Sequence, residues 1–235
     1  MKFGMVHPQN FIKKMLNKWM SNWYGESWWT FNNIPPFLNQ GMNEVIVDSN
    51  NHNLLTTIQQ QGFELVETAL EFETTILNIN HKLCKNVRQA TIKDLPKIIQ
   101  ITDTCFSSNK DFFNRFKNPL YFTTEQSKDY YLQSVTNHFP YSTTSVVEED
   151  NKVVGYYMIK KQENNKYKGI MTGVLPSYRG KKYHAKMQDF IFKKEGLPFT
   201  TLNATQINNL GTLNSHIKQG RKLTKTKYIF YKKNT

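Results

Sequence analysis

Two short stretches carry residue types that can do chemistry together. In the first, Val174-Leu-Pro-Ser-Tyr-Arg-Gly-Lys-Lys-Tyr-His184, an apolar run gives way to Arg179, Gly180, Lys181 and Lys182, and then to a helix opening at Tyr183. A loop of this kind turns backbone N–H groups toward a phosphate, and the positive end of the following helix and the lysine charges add attraction. Lys182 and His184 stand where further small residues would ease close approach, so the cradle is expected to need negative φ at both. In the second stretch, ATQINNLGTLNSHIKQGRK, Asn209 and His216 lie on one helical segment, and Gly220-Arg221 follows it. An imidazole with an ordinary pKa near 6.5 serves as a base when neutral and as an acid when charged, so both roles stay open for His216. Tyr183, Tyr228 and Tyr231 are alternative proton donors.

The 235-residue chain carries a formal charge of +13 and has a pI near 9.6, a balance that favours anionic partners. Its lysines come in ones and twos, without a long basic run, zinc-finger spacing or an RNA-binding aromatic signature. Small phosphorylated ligands therefore explain the charge as well as nucleic acid does, and the expectation is no nucleic-acid partner. The two cysteines, Cys84 and Cys105, sit in apolar surroundings and suggest neither a disulfide framework nor a metal cage. No stretch approaches the roughly 18–20 apolar residues of a membrane span. The opening MKFGMVHPQNFIKKMLNKWM also lacks a signal peptide's apolar block, so a cytoplasmic chain is expected.

The elements that must position these residues follow from periodicity. A Trp-rich opening (Trp19, Trp23, Trp28, Trp29), expected to be core or dimer surface, precedes a breaker at Ile34–Phe37 and a strand over Glu44–Asp48. Leu54, Leu55 and Ile58 then mark a helix ended by Gly62, and alternation over Phe63–Phe72 signals strand. A polar stretch from Asn78 to Asn86 suggests a junction, with a small α/β unit over residues 1–82 and a second domain over 83–235. In the second domain VRQA is a strand, Thr91 and Asp94 form an N-cap pair, and a helix covers Thr124–His138. Three antiparallel strands joined by EEDNK and QENNK come next, and the third runs into the Arg179 loop and the Tyr183–Lys194 helix. A strand at PFTTLNA, a helix over Asn208–Gln219 and a strand at TKYIFYK finish an order of β-α-α-β-β-β-α-β-α-β.

That order, with Arg179-Gly180-Lys181 between a strand and a helix and Asn209, His216 and Gly220-Arg221 beyond, resembles the GCN5-related N-acetyltransferase family. The resemblance implies an α/β fold with a central mixed, mostly antiparallel sheet flanked by helices. It also implies an acyl-CoA co-substrate (acetyl-CoA or 3-hydroxybutanoyl-CoA) and no metal. Val174, Arg179, Gly180, Lys181, Lys182, Tyr183, His184 and Asn209 would hold the CoA, and a backbone N–H of a splayed strand Gly169–Val174 would meet the thioester oxygen. The chain departs from the family by having His216 where a Tyr is usual and Arg221 where a Phe is usual. Five segments, LLTTIQQQGFELVET, FFNRFKNPLYFTTEQSKDYYLQSV, KVVGYYMIK, TTLNATQINN and IKQG followed by TKYIFYK, resemble in the same order the branch that acylates dTDP-linked aminosugars for surface polysaccharides. On that likeness Asn114, Arg115, Phe116 and Tyr121 border the acceptor and a homodimer is possible. Other open readings are an acetyltransferase of a protein or small-molecule amine, and a non-catalytic CoA- or nucleic-acid-binding module.

Overall fold

The computed structural model describes residues 28–31, 41–79 and 84–234. Trp19, Trp23 and the breaker at Ile34–Phe37 lie outside them. The chain forms two compact units, and the boundaries between them fall inside three strands and at the start of one helix. One unit gathers the described part of Met1–Glu71 with Thr205–Leu210 and Leu223–Thr235, and the other gathers the described part of Phe72–Ala204 with Gly211–Lys222.

In the first unit β1 (Trp28–Phe31) pairs in parallel with β2 (Gly41–Asp48), which pairs antiparallel with β9 (Lys222–Asn234). Helix α1 (His52–Gln60) opens with Asn51, whose side chain accepts from the Leu54 amide, and it buries Leu54 and Ile58 against Val45, Val47, Phe63 and Phe230. Leu54 and Ile58 are four residues apart, one face of a helix, which is why this short element can pack at all. A single long strand, β3 (Glu64–Ile76), replaces the strands expected near Phe63–Phe72.

In the second unit the strand order is β3-β8-β7-β6-β5-β4, with β4 (Val87–Gln89), β5 (Thr143–Glu149), β6 (Lys152–Lys161), β7 (Lys166–Val174) and β8 (Phe199–Gln206). The pairings β4·β5, β5·β6 and β6·β7 are antiparallel and β7·β8 is parallel, so the α/β fold with a mixed, mostly antiparallel sheet holds. Both predicted turns are present. Asp150 and Asn151, and then Asn164 and Asn165, all have φ between 50° and 58°, the left-handed pairs that tight hairpins need and that Asn and Asp tolerate best. Strand β6 is buried on both faces. Tyr156 and Met158 face Ile98 and Ile101 of helix α2 (Leu95–Thr102) and Val135 of α3 (Thr124–His138), while Tyr157 and Ile159 face Tyr183, Met187 and Ile191 of α4 (Tyr183–Glu195). Period-two alternation along one strand thus supports a helical layer on each side.

The joint between β4, β5 and the start of α2 is polar. Arg88 donates to Asp94 through both terminal nitrogens at 2.8 Å and to Glu148 at 2.6 and 2.9 Å, and the Thr91 amide and hydroxyl donate to Asp94 as the predicted cap. The Arg88 hydrogen bonds hold the Asp94 carboxyl down at about 2, against partial desolvation. A depressed carboxylate contributes stability that is fully present above its unfolded pKa near 3.8 and is lost as pH falls toward 2. Asp94→Asn is expected to cost about 1–2 kcal/mol at pH 7, a melting-temperature loss of roughly 3–6 °C, with the difference shrinking between pH 4 and 2 in thermal unfolding followed by circular dichroism.

Candidate functional site

The site begins where two strands part. Strands β7 and β8 pair in parallel only through Lys166–Thr200, Tyr167–Thr201 and Lys168–Leu202. On the other edge of β7 the register with β6 slips: Met158 faces Met171 while Ile159 faces Gly169, so Ile170 is an extra, bulged residue. A bulge bends its strand, and here it coincides with the point where β8 is released. The expected splay over Gly169–Val174 is therefore built from a bulge on one edge and a lost partner on the other. Gly169 leaves room at the fork for the amide of Asn203: a Cβ there would lie 2.5 Å from its Oδ1 and would push that side chain, whose Nδ2 is buried without a hydrogen-bond partner among the described residues, out of place.

The loop after β7 closes on itself. Pro176–Tyr178 form a single 3-10 turn, and exposed Arg179 donates from Nε to the Val174 carbonyl at 3.0 Å, folding back onto the strand end. Lys181 lies over the rings of Tyr178 and Tyr183, at 5.4 and 5.8 Å, and 3.9 Å from Glu149. Lys182 has φ +58°, contrary to the negative φ expected for it. The chain must reverse direction between Gly180, itself at φ +83°, and the first turn of α4, and an exposed lysine pays that left-handed cost at the N-cap without capping the helix through its side chain. The first-turn N–H groups of α4 are thus not covered by a capping side chain, the state in which a helix end meets an anion. Tyr183 is buried in the core beside Met187.

His216 lies in helix α5 (Leu210–Lys218), and the end of that helix fixes its surroundings. Gly220, at φ +67°, donates its N–H to the Ile217 carbonyl at 2.9 Å, and Arg221 donates its N–H to the His216 carbonyl at 3.1 Å. These two bonds are a Schellman motif, in which the side chain after the glycine meets the side chain three residues inside the helix. Here those side chains are Arg221 and His216, 7 % and 3 % exposed. His216 packs against Phe72 of β3, ring centroids 4.8 Å apart. His184, from the first turn of α4, faces the Tyr157 ring edge-on at 5.1 Å, and its Nδ1 is 3.4 Å from Nε2 of Gln219. Arg221 donates from Nε to Gln219 at 3.1 Å and is hydrogen-bonded to the Tyr157 phenol, which Gln188 also approaches at 3.4 Å.

The structure therefore brings together His184 and His216 and adds Arg221, Tyr157, Gln188 and Gln219, which the sequence did not single out as site residues. Burial and then the Arg221 charge lower His216 to about 4, while burial, Arg221 and His216 lower His184 to about 3. Both shifts disfavour the protonated rings, so neither is placed to give a proton as an imidazolium at neutral pH. Asn209 precedes α5 and donates its N–H to the Gln206 carbonyl at 3.1 Å.

The loop between α2 and α3 is an aromatic layer. Phe116 stacks on Tyr130 at 3.7 Å, with Arg115 over its other neighbourhood at 4.5 Å from the ring centroid, and Phe106 stacks on Tyr131 at 5.6 Å. Asn114 is buried, and its Oδ1 accepts from the Phe116 amide and from the Tyr131 hydroxyl, so that oxygen is committed to holding the loop. Tyr121 is half-buried. Cys105 lies in a π turn, Asp103–Ser107, and donates to the Val174 carbonyl at 3.4 Å; burial raises its thiol. Among the described residues no His, Cys, Asp and Glu cluster suits a metal ion, and no helix is long and apolar enough to cross a membrane.

The chain is similar to known proteins in part of its sequence and in its fold. The Acetyltransferase (GNAT) family model matches residues 103–212, the segment from the π turn through the splay and loop into α5. A conserved Staphylococcus epidermidis protein of unknown function is similar in fold (TM-score 0.61, 12% identity, 89% of this chain and 85% of that one). A GCN5-related N-acetyltransferase from Sphaerobacter thermophilus is also similar (TM-score 0.55, 12% identity), over 81% of this chain and 59% of the other, as is one from Kribbella flavida (TM-score 0.51, 10% identity, 82% and 69%). No curated protein matches the sequence. The family model spans somewhat less than half of the chain, and the solved structures share its fold at 10–12% identity.

Two groups with folded-state pKa values below 6.5 make folding sensitive to acid. As pH falls from 6.5 toward 4 the unfolded chain takes up protons that His216 and His184 do not, so stability declines across that window. His216→Gln is expected to flatten the decline by on the order of 1–3 kcal/mol, read from urea unfolding at pH 7 and pH 4.5.

Proposed function

We propose that the chain is an N-acyltransferase that moves a short acyl group, acetyl or a hydroxyacyl such as 3-hydroxybutanoyl, from CoA to the amine of a dTDP-linked aminodeoxyhexose. The observation that carries the transferase part is the fork between β7 and β8 with its bulge at Ile170. It leaves strand N–H groups free of a ladder partner beside a helix end suited to phosphate. In the reading proposed, the pantetheine lies in the fork and the diphosphate meets the first turn of α4, with Val174, Gly180, Lys181 and Lys182 alongside. A strand N–H in Gly169–Val174 takes the charge growing on the thioester oxygen.

The amine attacks the thioester carbon directly, a C–N bond forms as the C–S bond breaks, the surplus proton on nitrogen passes through water to the departing CoA thiolate to give free CoA, and no covalent acyl-enzyme forms. Neutral His216 removes a proton from the sugar ammonium, in reach or through water, which frees the nitrogen lone pair for attack. The aminosugar part rests on the five segments that resemble that branch in order, and on the half-buried Arg115 of the same loop, a cation of the kind that pairs with a nucleotide phosphate.

Free-thiol release from acetyl-CoA and 3-hydroxybutanoyl-CoA across a panel of dTDP-aminosugars tests this reading. Turnover with an aminosugar and not with peptide amines is expected; salt-sensitive DNA binding with no response to CoA would sink it. His216→Asn should lower kcat roughly 10²–10⁴-fold, the range for loss of a general base, with acyl-CoA affinity nearly unchanged. The wild-type rate should hold from pH 8 down to pH 6 as far as His216 controls it, because its ring loses its role as base only near 4. An unchanged rate in the variant assigns the proton to another group.

A further inference from the structure

Arg221 is a buried cation with no counter-ion among the described residues. It is 7 % exposed, the groups sustaining its charge are confined to the Tyr157 phenol, and burial lowers its proton affinity. Its Nη1 is buried and without a hydrogen-bond partner among the described residues, and so is Nδ1 of His216, the side chain that the Schellman motif sets against it. Removing a guanidinium from water is costly unless an anion and hydrogen bonds compensate, and an orphaned buried donor adds to that cost. Two adjacent orphaned nitrogens, one on a cation and one on a ring that can carry a proton there, have the pattern of an oxyanion site lacking its oxyanion. The groups around it are all neutral or positive: His216 and Arg221 from α5 and its cap, Gln219 beside them, His184 from α4, Gln188 from the next turn of α4, and Tyr157 from β6.

We propose that Arg221 and His216, backed by His184, Tyr157 and Gln219, form a buried oxyanion site that takes a phosphate or carboxylate group of the acyl-CoA co-substrate. Only the identity of the oxyanion's carrier rests on the acyltransferase reading; the site rests on the orphaned cation. The phosphates of CoA and a carboxylate at the end of an acyl chain share this chemistry. A carboxylate of the acyl chain there would neutralise Arg221 beside His216 and make that ring a stronger base, whereas a phosphate there would lie a pantetheine arm from the thioester and would leave the amine's proton to another group.

The test is thermal unfolding of the full chain at pH 7 in sodium sulfate and in sodium chloride of equal ionic strength, for wild type, Arg221→Met and Arg221→Lys. Wild type should gain several degrees in sulfate over chloride and Arg221→Lys part of that gain. Arg221→Met should gain only the general effect sulfate has on any fold, while melting in chloride no lower than wild type, because an uncompensated charge has been removed. An equal sulfate gain in all three, or an Arg221→Met protein far less stable than wild type beside an Arg221→Lys protein insensitive to sulfate, overturns the site. Calorimetric binding then separates the sources. A preference for CoA over pantetheine that Arg221→Met abolishes assigns the site to phosphate, and a preference for malonyl-CoA over acetyl-CoA that it abolishes assigns it to carboxylate. A sulfate response with no Arg221-dependent difference among these four overturns the co-substrate assignment. Because sulfate binding is read without turnover, that result is distinct from failure of acyl transfer, which the thiol-release assay reports.

Discussion

The constraint on which the site depends is the parting of β7 from β8 after three paired residues. A strand inside a sheet normally has both rows of backbone hydrogen bonds filled, so an opening in mid-sheet must be prepared. The bulge at Ile170 bends β7 away on one edge, and Gly169 makes room for the Asn203 side chain at the vertex. The helical layers on both faces of β6, packed through Tyr156 and Met158 on one side and Tyr157 and Ile159 on the other, hold the rest of the sheet while this edge opens. The ion network of Arg88 with Asp94 and Glu148 locks the far edge strand and the start of α2 to the same sheet. The fork is thus a local loss of pairing carried by a sheet that is otherwise densely supported.

The second governing feature is electrostatic and arises from a helix end. Gly220 is left-handed, which allows the α5 cap and carries Arg221 back against His216. A chain with a charge of +13 has placed one of its cations where water cannot reach it, next to two imidazoles. Repulsion and desolvation act in the same direction on both rings, so they are neutral at physiological pH. That environment removes the imidazolium form at neutral pH, the form that a proton-donating role of the ring would need.

Much of this was legible before any coordinates. The hairpin turns at Asp150-Asn151 and Asn164-Asn165, the cap at Thr91 and Asp94, and the helix at Thr124–His138 all depend on residues within a few positions of one another, and each appears where the pattern put it. The loop residues Arg179 to Lys182 were also recognisable, although the left-handed turn at Lys182 was not, because nothing in a lysine signals φ +58°. The bulge at Ile170 left no mark either: an extra residue is defined only by the strand it faces. Tyr157, Gln188, Gln219 and Arg221 went unnoticed as a group because they lie on β6, α4 and the end of α5, and no spacing rule connects them.

The sequence by itself determined the order of the elements, the turns and caps that separate them, and the presence of a phosphate-suited loop ahead of a helix, since these follow from backbone preferences and side-chain periods that act over a turn or two of chain. Tertiary structure alone decided where the sheet opens, which side chains surround His216, and that Arg221 is buried without a counter-charge among the described residues. Those outcomes depend on desolvation and on contacts between residues as far apart as Phe72 and His216, and both quantities exist only once the chain has packed.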